Sequence, residues 1–563
     1  GVQTCALPIF TIDVNPSKTG QGPGWSRLLL SMAEGAGGGK YVAVNSSTNG
    51  GSEIVIAVNK ALAEVQAVNS VFAAVSLPVN VTREGVYSNQ VFIGMFRPDA
   101  NAYPRWMGNL KQYSLGYVNN SLRLIDADGN SAIKTSTGFI ADCARSYWTP
   151  GLHDLDQYWS FQPIGECIPP PGSDVNLYKW SNTPDGNMVE KGGAAYVRRG
   201  TTARTLKTCS LTSCSGLKDF NANNSDLNKT SRGASSPAEV TALINWARGL
   251  DVDDENHDQT TDTMRPSAHG DVVHSRPVAM DLGSAGAPKV VVLYGGNDGI
   301  LRAVNGNQQS SIGSVSPGAE LWAFMPPQFF PNIKRLRDNS TQINFYGVQT
   351  PGALPKPYGM DGPITAYQGS STTSIYATMR RGGRMLHAFP VQNSNPSNIA
   401  LSWAVGCPTD TSCSSGFSEI GQTWAPPKIL KASYDSGAAP LLVMGGGYDT
   451  CEDADPNSCT SSSKGSQVYV LDAGSGALLK TLKTDRSVVA DVVVVADSTT
   501  GLAKFAYAVD LGGNVYRINI GAEKPANWTI TKIASLGCNT TASCSANRKF
   551  MFAPDVVENN GEY

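Results

Sequence analysis

The sequence predicts a mainly β protein, with a β-propeller preceded by a mixed β-rich segment that contains a few short helices. The composition is typical of short strands joined by turns, because the chain has 58 glycines and 33 prolines while only 16% of its residues are charged. From about residue 270, hairpins with glycine at the turn recur at intervals of roughly 60 to 90 residues, and such repetition is typical of a propeller.

Four hairpins of the predicted propeller follow one plan, in which an apolar strand leads into a glycine-containing turn and a second strand returns. They are VVLYGGNDGILRAVNG (291–306), IYATMRRGGRMLHAFPV (375–391), LLVMGGGYD with SQVYVLDAGSGALL (441–449 and 466–479) and FAYAVDLGGNVYRINI (505–520). Glycine allows the positive φ that a two-residue hairpin turn requires, so we expect turns of that kind. An immunoglobulin-like array is the alternative, although its turns are less uniformly rich in glycine.

The part of the chain before the propeller divides into a linker and a β-rich segment. Residues 10–54 are rich in glycine and serine and are predicted to form a linker. Residues 55–265 form the predicted pre-propeller segment, with helices expected near 57–68 and 237–248. The second helix has the clearer signals, because a serine suited to capping precedes it and a glycine follows it.

Both ends of the chain are predicted to be incomplete. Residues 1–9, GVQTCALPI, resemble the translation of a sequencing-library adaptor and lack the features of a secretory signal. Residues 266–563 form the predicted propeller, and its last stretch, RKFMFAPDVVENNGEY, ends where a further strand pair is expected. The native N-terminus and the last blades are therefore expected to lie outside this sequence.

Charge and hydropathy exclude two classes of partner. The net charge is −2, with acidic and basic residues well mixed, so the chain has no basic footprint for a nucleic acid. No run of residues approaches the roughly 18 apolar residues of a membrane helix, so no membrane span is predicted.

The cysteines predict disulfide bonds. Eight of them fall into four close pairs that bracket short polar loops, and the clustered CxxC or HxxxH spacing of a zinc site does not occur. Zinc thiolates remain the alternative. Disulfides persist in oxidising compartments, which favours a location outside the cytoplasm. The predicted disulfide cysteines are Cys143, Cys167, Cys209, Cys214, Cys407, Cys413, Cys451, Cys459, Cys538 and Cys544.

Two groups of motifs stand in a fixed order along the chain. The propeller contains HGDVVHSRPV (269–278), LYGGNDGILRAVN (293–305), LWAFMPPQF (321–329), GQTWAPPKI (421–429), GGGYD (445–449), VYVLDAGSGALL (468–479) and YAVDLGGNVYRINI (507–520). The upstream segment contains NQVFIGMFRPDANAYPRWMGNLKQY (89–113), STGFIADCARSYW (136–148), PDGNMVEKGGAAYVRR (184–199) and ALINWARGLD (242–251). From about residue 55 to its end, the chain therefore resembles the PilY/PilC family of type IV pilus biogenesis factors and tip-associated adhesins.

The resemblance implies a non-enzymatic protein with a quinoprotein-like propeller. The implied location is extracytoplasmic, in the periplasm, at the pilus tip or on the cell surface of a Gram-negative bacterium. The implied roles are support of pilus assembly, control of retraction and twitching motility, and surface adhesion. Minor pilins of the pilus tip complex are the implied partners, with a host or surface receptor as a further one. Many family members also carry an N-terminal von Willebrand A-like domain.

The family resemblance also implies a calcium loop, of the pattern DxDxDGxxD, just before the YAxDLGG strand. Alternate carboxylates in such a loop converge on one Ca²⁺ ion. In this chain only the glycine of the pattern is kept, Asp497 lies one residue out of register, and Lys504 stands where a carboxylate belongs. The loop is therefore a degenerate calcium site, and our hypothesis is that Lys504 supplies the positive charge that an ion would have brought.

A second acidic loop lies between Cys451 and Cys459. Asp453, Asp455 and Asn457 have the i, i+2, i+4 spacing of calcium ligands, but a proline interrupts the spacing and no glycine follows. The alternative is a solvated acidic loop closed by a disulfide. Calcium is therefore the one candidate cofactor, at Asp453, Asp455, Asn457 or Asp497.

Two other functions compete with the pilus interpretation. A quinoprotein-type dehydrogenase has a similar propeller, but this sequence has neither an adjacent cysteine pair nor a CxxCH haem motif. A secreted glycan-binding propeller is not excluded by any residue.

Several conspicuous side chains are predicted to be structural. His269 and His274 are expected to form structural hydrogen bonds, because their spacing does not fit a helical zinc site. Trp106, Trp322, Trp403 and Trp424 are expected to pack within or between blades. Contacts with partners are expected on the cysteine-containing loops, because loops carry recognition on a rigid scaffold.

Overall fold

The computed structural model describes most of the chain. The described residues are 11–14, 22–35, 41–44, 54, 71–76, 89–99, 101–134, 138–151, 184–211, 214–284, 286–344, 350–369, 371–454, 457–460, 463–537 and 548–557. The helices are α1 (Gly22–Gly35), α2 (Gly193–Arg199), α3 (Lys229–Arg232), α4 (Pro237–Arg248) and α5 (Phe330–Asp338). No helix in these ranges has the length and apolar character needed to cross a membrane.

The upstream strands form two separate sheets, and two further strands join the sheet of the first propeller blade. They are β1 (Thr11–Val14), β2 (Tyr41–Val44), β3 (Val71–Ser76), β4 (Gln90–Arg97), β5 (Met107–Val118), β6 (Ser121–Ile125), β7 (Leu206–Thr208) and β8 (Lys218–Asp219). β1 and β2 pair in parallel, and β3 to β6 form a four-stranded antiparallel sheet in sequence order.

Within the residues that the structure describes, the propeller region contains four successive blades, each built from four antiparallel strands, which confirms the predicted fold class. The first blade is β9 (Val278–Asp281), β10 (Val290–Gly295), β11 (Leu301–Asn305) and β12 (Glu320–Phe324). A short parallel pair follows, β13 (Ile343–Asn344) and β14 (Leu354–Pro355). The second blade is β15 (Ile364–Gln368), β16 (Thr372–Thr378), β17 (Arg384–Gln392) and β18 (Trp403–Cys407). The third is β19 (Lys428–Leu430), β20 (Leu441–Gly445), β21 (Gln467–Asp472) and β22 (Leu478–Lys483). The fourth is β23 (Val493–Ala496), β24 (Ala503–Val509), β25 (Asn514–Asn519) and β26 (Thr529–Ser535).

Neighbouring blades share their hydrophobic cores. The second strands of the first and third blades, β10 and β20, are buried at every residue and are therefore covered on both faces. Three core clusters each join one blade to the next, and they contain Leu293 with Ile375, Leu386 with Leu442, and Val443 with Ala506. The blades therefore stabilise one another by burying apolar surface, which is the dominant favourable term in folding.

The glycines at the hairpin turns have a different role from the predicted one. The turns are longer than two residues: β10 ends at Gly295 and β11 begins at Leu301. Only one glycine of this turn, Gly299, has a positive φ, of 85°. A Cβ on Gly295 would lie 1.8 Å from the Met360 carbonyl oxygen. This glycine is required because the backbone of the next loop packs directly against it.

Two strands of the upstream segment extend the sheet of the first blade. β7 pairs in parallel with β12, and β8 continues the sheet beyond β7. Just before β7, Arg204 donates from Nε and Nη2 to the carboxylate of Glu320, at 2.7 and 2.6 Å. The predicted domain boundary near residue 266 therefore does not separate the two parts in space, because strands on both sides of it share one sheet.

The sheet β3 to β6 also packs on the first blade. Gln112 on β5 donates from Nε2 to the carbonyl oxygen of Gly306 at 2.9 Å, and Trp148 donates from Nε1 to that of Asn307 at 2.9 Å. Phe92 of this sheet belongs to one buried cluster with residues of β10. The upstream segment is thus held to the propeller by both polar and apolar contacts.

The helix predicted near 237–248 is present, as α4. Its cap is Ser236, whose Oγ accepts from the backbone N–H of Glu239 at 3.2 Å, and it ends at Gly249, where φ is 106°. Leu243 and Ile244 on its inner face are buried. The helix predicted at 57–68 lies outside the described residues.

The prediction of a linker over residues 10–54 was wrong in part. The described portion contains the parallel pair β1 and β2 with α1 between them. The Tyr41 hydroxyl donates to Asp13 at 2.7 Å, and Thr11 Oγ1 donates to the carbonyl oxygen of Leu29 at 2.9 Å. The strands have only four residues each, too few for hydrophobic periodicity to outweigh the surrounding glycines.

Candidate functional site

The loops of each blade lie at two opposite ends of its strands. We call one end the turn face, because it carries the glycine-containing turns. It consists of the loops between the second and third strands of each blade and the loops between blades. Its described residues are 296–300, 325–344, 350–363, 379–383, 408–427, 446–454, 457–460, 463–466, 484–492 and 510–513.

Backbone hydrogen bonds join the loops of the turn face across blade boundaries. Met360 donates to Gly296 at 3.1 Å, Arg380 donates to Thr423 at 3.0 Å, Gly447 donates to Val488 at 2.9 Å, and Leu511 donates to Ser487 at 3.0 Å. Because buried backbone hydrogen bonds fix loop geometry, the turn face is a rigid surface on which exposed side chains hold defined positions.

Two disulfides close loops on the turn face. The Cys407–Cys413 and Cys451–Cys459 bonds are both formed, and a third, Cys209–Cys214, closes the turn between β7 and β8. Cys143 is also disulfide-bonded. Cys167, Cys538 and Cys544 lie outside the described residues. The short pairs recognised in the sequence are therefore real bridges wherever the structure describes both cysteines.

In the second predicted calcium loop, Asp453 binds two side chains of the protein, the guanidinium of Arg381 and the hydroxyl of Tyr448. Arg381 donates to both carboxylate oxygens of Asp453, at 2.6 and 3.3 Å, and the Tyr448 hydroxyl donates to it at 2.6 Å. Burial raises the pKa of the Asp453 carboxyl, but the hydrogen bonds from Arg381 and Tyr448 outweigh burial and hold that pKa below its usual value. Asp453 is therefore charged and already neutralised.

The rest of the second predicted calcium loop does not assemble around Asp453. Asn457 accepts through Oδ1 from the backbone N–H of Cys459 at 3.2 Å, which is a local turn contact. Asp455 lies outside the described residues. The described ligand candidates thus have other partners.

Cys451, Glu452 and Cys459 form a group whose potential metal-ligating atoms lie within 4.8 Å of one another. The residues do not fit a metal, because the two cysteines form a disulfide and so offer no thiolate. Glu452 is 3% exposed and forms ion pairs with Arg486 and with Lys549, the latter at 3.3 Å. Its charge is balanced by protein cations.

The loop at Asp497, which the sequence predicts to be a degenerate calcium site, contains an internal ion pair. Lys504 Nζ lies 2.9 Å from Asp497 Oδ2, and Asp497 Oδ1 accepts from the backbone N–H groups of Thr499 and Thr500 at 3.0 and 2.9 Å. The Lys504 hydrogen bond, followed by those backbone contacts, lowers the pKa of the Asp497 carboxyl well below its usual value. The lysine thus occupies the position that the hypothesis gave it.

The two predicted calcium loops lie at opposite ends of the blades. Asp453 belongs to the turn face, whereas Asp497 follows β23 and lies between the first and second strands of its blade. They are therefore not parts of one site.

The two motif histidines both form hydrogen bonds, as predicted. Buried His269 contacts the Gly270 carbonyl oxygen through Nδ1 at 2.8 Å and the Tyr294 hydroxyl through Nε2 at 2.8 Å. Burial lowers the pKa of His269 to about 3, so the ring is neutral, with Nδ1 donating and Nε2 accepting. His274 contacts Asp361 Oδ2 through Nδ1 at 2.6 Å.

Of the four tryptophans considered, Trp424 differs from the others in its surroundings. Trp322 and Trp403 are 1% and 8% exposed, and Trp106 stacks on Phe96, in agreement with the packing prediction. Trp424 is half-buried on the turn face and stacks on Tyr448, with ring centroids 4.1 Å apart.

Sequence reasoning missed the charged residues that surround this stacked pair. Arg380 and Arg381 precede the glycines of the second hairpin, and the motif RRGG was considered only for its glycines. Turns between strands lie on the protein surface, where binding residues are concentrated. Two adjacent arginines in such a turn were therefore the signal that could have identified these residues.

Comparison with known proteins identifies the propeller. The family model for the PilY1 beta-propeller domain matches residues 281–551. The propeller of this chain therefore matches that of the PilY1 family. The match begins at Asp281, the last residue of β9, and continues past β26, so it covers the four blades except for most of β9.

Curated relatives of the PilY1 family have similar sequences over a longer stretch. The type IV pilus biogenesis factor PilY1 of Pseudomonas aeruginosa (strain UCBPP-PA14) is 24% identical over 384 residues, which are 62% of this chain and 29% of that protein. A PilY1 homolog of Xylella fastidiosa (strain Temecula1) is 26% identical over 321 residues, 52% of this chain and 23% of that protein. The chain therefore spans less than a third of the length of these relatives.

Among solved structures, the crystal structure of the Pseudomonas aeruginosa PilY1 C-terminal domain is similar at 19% identity. The match covers 46% of this chain and 47% of that chain, with a TM-score of 0.29.

Proposed function

We propose that this protein is a non-enzymatic type IV pilus biogenesis factor whose propeller presents a rigid binding face to other components of the pilus. The observation that carries the proposal is the family match over residues 281–551, together with relatives that are named as type IV pilus biogenesis factors. The fold is consistent with a scaffold, because the turn face is fixed by backbone hydrogen bonds across blade boundaries.

Two carboxylates of the turn face have structural partners. Asp453 neutralises Arg381, and Glu452 is paired with Arg486 and Lys549. Such ion pairs hold loops in place and leave no free acid or base at these positions. This arrangement supports a binding role for the turn face.

The finer roles in our proposal are those of a tip-associated protein. The protein promotes fibre assembly, opposes retraction, contributes to twitching motility and surface adhesion, and contacts minor pilins and a host or surface receptor. It works in the periplasm, at the pilus tip or on the cell surface of a Gram-negative bacterium. The disulfides support an extracytoplasmic location, since such bonds persist in oxidising compartments.

A gene deletion tests the proposed role. In the strain that carries this gene, its removal is expected to reduce surface pili at least tenfold, as counted by electron microscopy, and the full-length gene is expected to restore them. An unchanged pilus count after deletion would refute the proposal.

The deletion can also separate assembly from retraction. In a second strain that lacks the retraction motor, pili are expected to reappear if the main role is to oppose retraction. Continued absence of pili would show that the protein is needed for assembly itself, and would refute the retraction role.

A further inference from the structure

Arg380 has an unusual backbone conformation on the turn face. Its φ is 50°, a left-handed value that residues other than glycine rarely adopt. The turn is held in place by the hydrogen bond from the Arg380 N–H to the Thr423 carbonyl oxygen at 3.0 Å. Strain of this kind persists only where the surroundings enforce it, and it is often found at ligand-binding positions.

The side chain of Arg380 lies on an aromatic platform. Its guanidinium carbon is 4.1 Å from the centroid of Trp424, which in turn stacks on Tyr448 at an interplanar angle of 14°. Arg381 lies 5.0 Å from the Tyr448 centroid on the same platform. The contact with Trp424 restricts the Arg380 guanidinium, so less side-chain freedom remains to be lost on binding.

The Arg380 guanidinium forms no direct ion pair within the described part of the chain, although the charge of Asp361 acts on it from nearby. There, no hydrogen bond or ion pair reaches its guanidinium, and its Nε atom is buried without a partner. The two nearby carboxylates have other partners: Asp453 is paired with Arg381, and Asp361 accepts from His274 and Asn297. The exposed side chain of Arg276 adds a second positive charge close by.

We propose that Arg380, whose guanidinium lies over the Trp424 ring, binds a carboxylate side chain in an acidic segment of a protein partner. A guanidinium fork matches the two oxygens of a carboxylate and forms strong charge-assisted hydrogen bonds with them. Trp, Tyr and Arg are the residues most enriched at the energetic centres of protein interfaces. The choice of a protein as the partner rests on the proposed function, whereas the choice of a carboxylate rests on Arg380 alone.

Binding of labelled poly-L-glutamate to the purified chain, measured by fluorescence anisotropy, tests this site. The wild-type chain is expected to bind, and Arg380→Gln is expected to weaken binding at least tenfold. The matched control is Lys431→Gln, which removes one exposed positive charge at the opposite end of the blades and is expected to change binding less than twofold.

A second variant guards against loss of folding. Arg380→Gly relieves the left-handed backbone strain, so its thermal unfolding midpoint is expected to equal or exceed that of the wild type while binding is lost. Retained binding in a folded Arg380 variant, or an equal loss in Lys431→Gln, would overturn the proposal.

Other polyanions show whether the ligand is a protein acid. Polygalacturonate, which carries carboxylates on a sugar chain, and heparin are expected to bind more weakly than poly-L-glutamate. Binding of either sugar polymer without binding of poly-L-glutamate would overturn the assignment of a protein partner. These results do not depend on pilus counts, so failure of this site and failure of the proposed function are distinguishable.

Discussion

Lys504 forms an ion pair with Asp497, with 2.9 Å between Nζ and Oδ2, in the loop that the sequence predicts to be a degenerate calcium site. The same carboxylate accepts two backbone N–H groups of its own turn. The turn is thus closed by a protein cation, which supports the hypothesis that the lysine replaces the ion.

Exchanging this lysine for an acid should create calcium dependence. Lys504→Asp is expected to lower the thermal unfolding midpoint in EDTA, because two carboxylates then face each other, and millimolar Ca²⁺ is expected to restore it in part. The wild type and the control Lys504→Gln are expected to give the same midpoint with and without Ca²⁺. No gain of calcium response in Lys504→Asp would contradict the replacement hypothesis.

Glu320 holds the upstream segment to the first blade. Its carboxylate lies between Arg204 and Arg302, whose side chains are each 2% exposed. Glu320→Gln removes the carboxylate partner of buried Arg204 and one of the two partners of Arg302, which keeps Asp298. The free energy of unfolding is therefore expected to fall by about 3 to 5 kcal/mol in urea titration. In the control, Glu419→Gln breaks a more exposed pair with Lys464 and is expected to cost about 1 kcal/mol or less. Equal effects would show that the Glu320 contacts are not a buried network.

The buried ring of His387 predicts a loss of stability in acid. Neither ring nitrogen has a partner among the described residues, and the ring packs against Phe324 and Phe389. Burial lowers the pKa of His387 to about 4. Between pH 6.5 and 4 the unfolded chain therefore binds a proton at this residue that the folded chain does not, so stability falls as the pH falls.

Replacing His387 by phenylalanine removes this source of pH dependence. Between pH 7 and pH 5, the wild type is expected to lose about 2 kcal/mol more unfolding free energy than His387→Phe, as measured by urea titration at both values. The same pH slope in both proteins would mean that His387 does not titrate in this way.

The glycines of the turn face should be intolerant of a methyl group where blades meet. A Cβ on Gly382 would lie 1.7 Å from the Gly359 carbonyl oxygen, so Gly382→Ala forces the two loops apart. We expect a loss of about 3 kcal/mol, the upper part of the range for overpacking. Gly216→Ala serves as the control, since no atom lies within 4 Å of the added Cβ. A Gly382→Ala protein as stable as the control would contradict the close packing of these loops.

The parts of the fold that could be predicted are those encoded within short stretches of sequence. The strands flanking each glycine turn, the Ser236-capped helix and the close cysteine pairs depend on neighbours along the chain. The turn geometry was predicted incorrectly because some of these glycines are required by close packing against the backbone of another loop. Gly295, for example, packs against the backbone of Met360.

The turn-face cluster could not be predicted because its contacts join distant parts of the chain. Arg381 and Asp453 are separated by 72 residues, and Trp424 meets Tyr448 only where two loops of the turn face come together. Nothing in the local pattern of either residue indicates its partner. Asp453 was therefore assigned to a calcium loop, although the structure gives it a guanidinium and a phenol.

The central claim is that the protein is part of the type IV pilus, and its presence in purified fibres tests that claim most directly. Fibres sheared from cells that express the tagged full-length protein are expected to carry the tag. The tag is expected to disappear from the sheared fraction when the major pilin gene is removed. A tag that stays with the cells, or that enters the sheared fraction equally without pilin, would contradict the claim.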